Sequence, residues 1–145
     1  PIAARLAELE GDGKVIGLDV QPEMLDVLRD RAAEDGVAAR IEPTAVSGDG
    51  DLPLSDASVD RAFTVNTAHE LDDRPRVWSE LRRALRPGGA LLVVDWSTEF
   101  GLDKGPPADH RLAQATLEAE LRDAGFTTET IALFDDFYAV VGTPA

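Results

Sequence analysis

Short apolar runs and helical stripes alternate along this chain. Lys14 to Val20 is a brief, nearly continuous apolar run, read as a buried strand ending at Asp19. Pro22 stands where a helix favours its first residue, and Met24, Leu25 and Leu28 form a stripe behind it that Gly36 can cap. Val37 to Thr44 reads as a second strand, with Pro43 near its end. Ser47 to Asp60 is a polar loop, and Arg61 to Val65 the next strand, ending at Asn66. A helix is expected from about Arg74, with Val77, Leu81 and Leu85 at four-residue spacing, stopped by Pro87-Gly88-Gly89. Ala90 to Asp95 is the most strand-like run. Phe100 to Asp109 is a Gly- and Pro-rich loop, and Leu112 to Ala124 a helix that buries Leu117 and Leu121 and ends at Gly125. Phe126 to Leu133 and Phe137 to Val141 read as a closing pair of strands. Ahead of all this, Pro1 to Glu10 carries a stripe of Ile2, Leu6 and Leu9 and reads as a helix, followed by a turn at Gly11-Asp12-Gly13.

Strands alternating with helices point to an α/β fold with a mostly parallel sheet. In open sheets of this class, ligands sit beyond the carboxyl ends of the strands. The loops after Asp19, Thr44, Asn66 and Asp95 are therefore the places to look. Asp19 is the most informative residue. It ends an apolar strand with no cation close by in sequence, and a carboxylate there can accept hydrogen bonds from both hydroxyls of a ribose. It can equally cap the helix that begins at Pro22.

Composition narrows the class. The 145 residues suit one domain, and 43% hydrophobic content is enough for a sizeable core. No run approaches the roughly 18 apolar residues of a membrane span, and no secretory pattern is visible. There is no cysteine, so disulfides, Cys-based zinc sites and thiol nucleophiles are excluded within these residues, and a cytoplasmic setting is expected. A net charge of −14 repels phosphate backbones, which argues against a nucleic-acid partner. His69-Glu70 is not a zinc motif, because the second His at helical spacing is absent. The oligomeric state is not legible.

Four ordered segments carry a family resemblance. "VIGLDVQPEML" resembles the second motif of class I S-adenosylmethionine-dependent methyltransferases, where an acidic residue ends the second strand and an apolar residue of the next helix covers the adenine. "LPLSDASVD" with "RAFTVNTAHEL" resembles the family's fourth-motif region. "ELRRALRPGGALLVVDW" resembles its helix, Pro-Gly-Gly turn and fifth strand. "GPPADHRL" with "LRDAGF" resembles the segment before the final strands in small-molecule, type-11-like members. Nearly the whole chain is covered, in order.

The resemblance implies a Rossmann-like three-layer sandwich, mostly parallel with an antiparallel last strand. It also implies S-adenosylmethionine as cofactor and a small-molecule methyl acceptor. Asp19 would hold the ribose hydroxyls. Val20 and Met24 would pack near adenine or ribose, although Met24 also fits plain core packing. Gly48 and Asp49 would meet the adenine edge, although Asp49 also fits an ordinary turn. Asn66 would sit beside the sulfonium, or be a helix or turn cap. His69 would face the acceptor as a general base, or be a structural histidine. Asp95, Trp96 and His110 would line the acceptor pocket.

One departure is large. The family's first strand and Gly-rich loop should precede Pro1, and Gly11-Asp12-Gly13 cannot replace that loop, since it lies at the wrong end of the first helix. The chain is therefore read as one N-terminally truncated methyltransferase domain. Its strands ending at Asp19 and Asn66 would be separated by about 10 Å, two steps of about 4.8 Å; direct pairing of 14–20 with 61–66 would contradict this. Two other readings remain: a truncated module that binds no cofactor, and a nicotinamide-dependent oxidoreductase. The second fits Asp19 but lacks an evident Tyr-Lys pair, since Tyr138, the only Tyr, lies in the last strand.

Overall fold

The computed structural model describes residues 12–99 and 103–145. The helix expected over Pro1 to Glu10 lies outside them. The chain divides into two compact units, one ending at Gly48 and the other beginning at Asp49.

In the first unit, β1 (Val15–Asp19) pairs in parallel with β2 (Ile41–Ala45), and α1 (Pro22–Glu34) connects them. Pro22 opens α1, Glu23 lies in its first turn and Arg31 in its last, all in keeping with the helix dipole. The helix ends as expected at Gly36, whose φ of 72° an L-residue adopts only at a cost. The Gly36 N–H donates to Ala33 O and the Val37 N–H to Ala32 O, at 3.1 and 2.8 Å, the double bond of a Schellman ending. Leu25, Ala32 and Val37 form the buried set, and Gly17 lets Leu28 approach the strand closely. The second strand starts later than the pattern suggested, because Ala38–Arg40 forms a 3-10 turn. Pro43 lies within β2, which pairs with β1 alone among the described residues, and a proline is tolerable on such a strand.

The second unit is a four-stranded sheet in the order β3 (Val59–Val65), β4 (Leu85–Trp96), β6 (Phe137–Pro144), β5 (Phe126–Phe134). β3 and β4 are parallel, while β6 runs antiparallel to both β4 and β5. This is the expected mostly parallel arrangement with one reversed strand. β1 and β3 belong to different sheets. Two helices, α2 (Arg74–Ala84) and α3 (Gln114–Asp123), supply Trp78, Leu117 and Leu121 to the core.

Period-two alternation decides what β4 buries. Leu91, Val93 and Asp95 share one face and are fully buried, with Val140 and Tyr138 beside Val93 and Asp95 on β6. Asp95 therefore continues a core row; it is a carboxylate placed where the pattern asks for an apolar residue. On β3, Phe63 and Val65 turn to the other face and are nearly half exposed.

The helix boundary near Pro87 corrects the sequence reading. α2 ends at Ala84, and Leu85 is already extended, at φ −71° and ψ 135°. Arg86 precedes a proline, which disfavours helical backbone, so the chain turns to strand before Pro87-Gly88-Gly89. Those three residues lie inside β4, where the register against β3 shifts. At Gly89 a Cβ would fall 2.8 Å from Arg86 O and 3.0 Å from Asp60 O, both backbone atoms that cannot swing aside. We expect Gly89→Ala to cost about 1–3 kcal/mol, the usual penalty for overpacking, visible as a lower midpoint in thermal or denaturant unfolding. An unchanged midpoint would mean the two carbonyls yield freely.

Candidate functional site

Two of the four loop regions singled out from the sequence lie in the second unit, after β3 and β4. Asn66 ends β3 with φ 55°, a left-handed conformation that Asn tolerates better than most residues. Its N–H still donates to Val94 O at 2.8 Å, but its side-chain Oδ1 is buried with no hydrogen-bond partner. A strained residue carrying an orphaned buried oxygen is a feature that functional sites collect. It is not a helix cap: the 3-10 turn Ala68–Glu70 begins after Thr67.

That turn places His69 against Asp95. The His69 N–H donates to Asp95 Oδ2 at 3.0 Å, the His69 Nδ1 lies 2.7 Å from Asp95 Oδ1, and the Trp96 N–H donates to Oδ1 at 2.8 Å. The His69 and Asp95 side chains are 7% and 1% exposed. An unpaired carboxylate buried this deeply would cost several kcal/mol, so the donors around it are a requirement of the fold. They also fix a tautomer. Carboxylate oxygens accept, so the neutral ring carries its proton on Nδ1 and its lone pair on Nε2. Oε1 of the exposed Glu70 lies 3.8 Å from Nε2, too far for a hydrogen bond.

His69 lines a cavity of about 500 Å³, together with Glu70, Arg74, Pro106, Asp109, His110, Arg111 and Leu112. His110 lines the same cavity, on the 3-10 turn Ala108–His110, whereas Asp95 and Trp96 do not line it. Asp95 stands behind His69, because its register on β4 turns it into the core. Trp96 supports the loop that follows: its ring stacks on Phe137 at 4.4 Å, Arg111 lies over it at 5.3 Å, and Gly105 packs against its edge. The buried Arg111 guanidinium donates to the carbonyls of Ser97, Pro106 and Lys104, pinning both ends of this loop.

Arg111, Arg74 and Glu120 were not singled out from the sequence. Their roles depend on contacts between distant segments, and no local pattern marks them. Arg74, the first residue of α2, donates Nε and Nη2 to Glu120 on α3, and Trp78 Nε1 donates to the same carboxylate at 3.0 Å. Burial pushes the Glu120 carboxyl upward, but the Arg74 and Trp78 hydrogen bonds outweigh it and hold the group below its ordinary value of 4.5. Burial also raises the Tyr138 hydroxyl, which donates to Leu112 O at 3.0 Å; it acts as a donor and not as a base.

In the first unit, Asp19 ends β1 half-buried, and its Oδ1 accepts the Gln21 N–H at 2.8 Å. Gln21, not Asp19, is the N-cap of α1. Val20 and Met24 are 54% and 49% exposed, so Met24 is not part of the buried stripe. Gly48 has φ 84° and lies against the Val20 side chain. In the second unit, Asp49 makes the turn contact anticipated as its alternative role, accepting the Asp51 N–H at 3.1 Å.

A family model described as "Methyltransferase domain" matches residues 2–93. The chain belongs to this methyltransferase family. The methyltransferase GfsG of Streptomyces halstedii is 36% identical over 101 residues, covering 70% of this chain and 36% of that protein. A ubiquinone/menaquinone biosynthesis C-methyltransferase of Acidiphilium cryptum is 39% identical over 89 residues, 60% of this chain and 34% of that protein. The chain thus spans about a third of these relatives' length. Among solved structures, a SAM-dependent methyltransferase from Aquifex aeolicus matches with a TM-score of 0.85 and 28% identity, over 95% of this chain and 73% of that one. The nicotinamide-dependent reading finds no support in these matches. Among the described residues, no helix is long and apolar enough to cross a membrane.

The sign of one pH effect follows from Glu120. A carboxyl held below its unfolded value adds stability above about pH 4.5 and loses it as pH falls through the depressed value. We expect Glu120→Gln to be less stable than the wild type at pH 7. The gap should narrow as acid is added, measured by urea unfolding from pH 7 to 3; a gap independent of pH would remove the ion pair from this account.

Proposed function

We propose that this methyltransferase domain transfers the methyl group of S-adenosylmethionine to a protic small-molecule acceptor, with His69 Nε2 as the general base. The observation that carries the reading is the His69–Asp95 pair, in which Nδ1 is taken up by the carboxylate while the His69 side chain lines a cavity. S-adenosylmethionine supplies a methyl group already activated on a sulfonium. The chain's tasks are then to position the acceptor, exclude water and remove one proton.

Taken unit by unit, the residues present have the chemistry that cofactor would need. In the first unit, Asp19 keeps a second carboxylate oxygen for ribose hydroxyls beside its bond to Gln21. The exposed Val20 and Met24 side chains of the same unit suit an adenine, with Gly48 against Val20. In the second unit, the orphaned Oδ1 of Asn66 suits the polarised C–H groups that a sulfonium carries. As the acceptor's hydroxyl loses its proton to His69 Nε2, the imidazolium that forms is stabilised by the Asp95 carboxylate on Nδ1–H. The proton then leaves through the cavity, which Asp109 and His110 also line. His69 and Asp95 are accordingly one unit, base and orienter.

The test uses the full chain as its gene encodes it. S-adenosylhomocysteine should bind in calorimetry, and Asp19→Ala should weaken it about tenfold or more. His69→Gln should leave that binding intact while lowering kcat roughly 100-fold or more, and should abolish the rise of rate with pH that reports the base. Asp95→Asn should also lower kcat, because an amide that donates to Nδ1 favours the wrong tautomer. A chain that binds no S-adenosylhomocysteine would be a non-catalytic module. A His69→Gln variant with unaltered kcat would make His69 structural.

A further inference from the structure

Arg74 is held for a task that its partner Glu120 does not exhaust. A guanidinium has five N–H donors in a rigid plane. Glu120 takes the Nε–H and one Nη2–H, side-on, at 2.9–3.1 Å. The second Nη2–H and both Nη1–H groups have no partner among the described residues. They form the far edge of the plane, and Arg74 lines the same cavity as His69 with its side chain 26% exposed. The plane cannot easily turn away, because Glu120 is itself fixed by the Trp78 indole N–H. The edge of a fixed guanidinium matches two adjacent oxygens better than one.

Charge decides which oxygens. Glu120 neutralises Arg74, and the cavity wall also carries Glu70 and Asp109 together with Arg111, whose guanidinium donates to the Ser97, Pro106 and Lys104 carbonyls. An anionic acceptor would meet two carboxylates, one cation paired with Glu120 and one engaged by backbone carbonyls. A neutral molecule with adjacent hydroxyl or carbonyl oxygens meets only donors and acceptors it can satisfy.

We propose that the acceptor is a neutral small molecule with two adjacent oxygens, a vicinal diol or hydroxy-carbonyl, gripped by the free edge of Arg74 and presenting a hydroxyl to His69. This rests on the methyl-transfer reading above. The balance is simple: the acceptor O–H proton goes to His69 Nε2, the oxygen pair forms the O–CH3 bond, and the methyl–sulfur bond breaks to release S-adenosylhomocysteine.

Catechol and phenol are probes that differ by the second oxygen. Binding of each to the full chain without cofactor is measured by saturation-transfer NMR, and labelled methyl transfer from S-adenosylmethionine is measured alongside. Catechol should bind about tenfold more tightly than phenol and be methylated in preference. Arg74→Lys keeps a cation beside Glu120 but loses the fork, and should bring the two probes level, through a rise in KM for catechol with kcat little altered. Equal binding of phenol and catechol by the wild type would overturn the proposal whether or not the variant folds, as would an undiminished preference in a folded Arg74→Lys. Failure to bind either probe, in a sample that binds S-adenosylhomocysteine, also overturns it. Failure to bind S-adenosylhomocysteine itself would instead remove the methyl-transfer reading beneath it.

Discussion

The buried carboxylate of Asp95 is the constraint around which the second unit's site is arranged. Strand alternation carries it into the core row of Leu91 and Val93, beside Tyr138 on β6. Desolvation makes its hydrogen bonds obligatory. Those bonds come from the backbone and ring of His69 and from the Trp96 N–H, so one residue ties the end of β4 to the turn that follows β3. The same bonds that make the carboxylate tolerable fix the orientation and tautomer of the imidazole.

The surroundings divide the work. Trp96 and Arg111 fix the path of the loop after β4, which brings His110 and Asp109 to the cavity. Arg74 and Glu120 join α2 to α3 and form another part of the cavity wall. None of these residues needs reactive chemistry of its own. On the reading proposed above, methyl transfer from a sulfonium would demand position, dryness and at most one base, which a polar cavity with one anchored imidazole can supply. The reaction would then reside in the cofactor, and specificity in the side chains that line the cavity.

Much of the scaffold was legible in the residue pattern, because strands and helices here follow local rules. Pro22 and Gly36 bound α1 as their backbone preferences require, and the reversed last strand followed from the family resemblance. The boundary at Leu85 was misread because Val77, Leu81 and Leu85 keep helical spacing, while the steric effect of Pro87 on Arg86 acts before the proline is reached. For the site, His69, Asp95, Trp96 and His110 were all expected to face the acceptor, and of these His69 and His110 line the cavity. The strand's final residues look alike in sequence, and only the sheet register shows which face each takes. Arg74, Glu120 and Arg111 could not be found in this way, since Glu120 lies 46 residues from Arg74 and the buried Arg111 bonds carbonyls up to 14 residues away.

The most direct test of this account is the tautomer of the neutral His69 ring, read from its 15N shifts in the full chain at a pH where the ring is neutral. The account predicts a proton on Nδ1 and a pyridine-like Nε2, with the pattern altered by Asp95→Asn. A neutral ring with its proton on Nε2 in the wild type would contradict it, because Nε2 would then have no lone pair with which to accept the acceptor's proton.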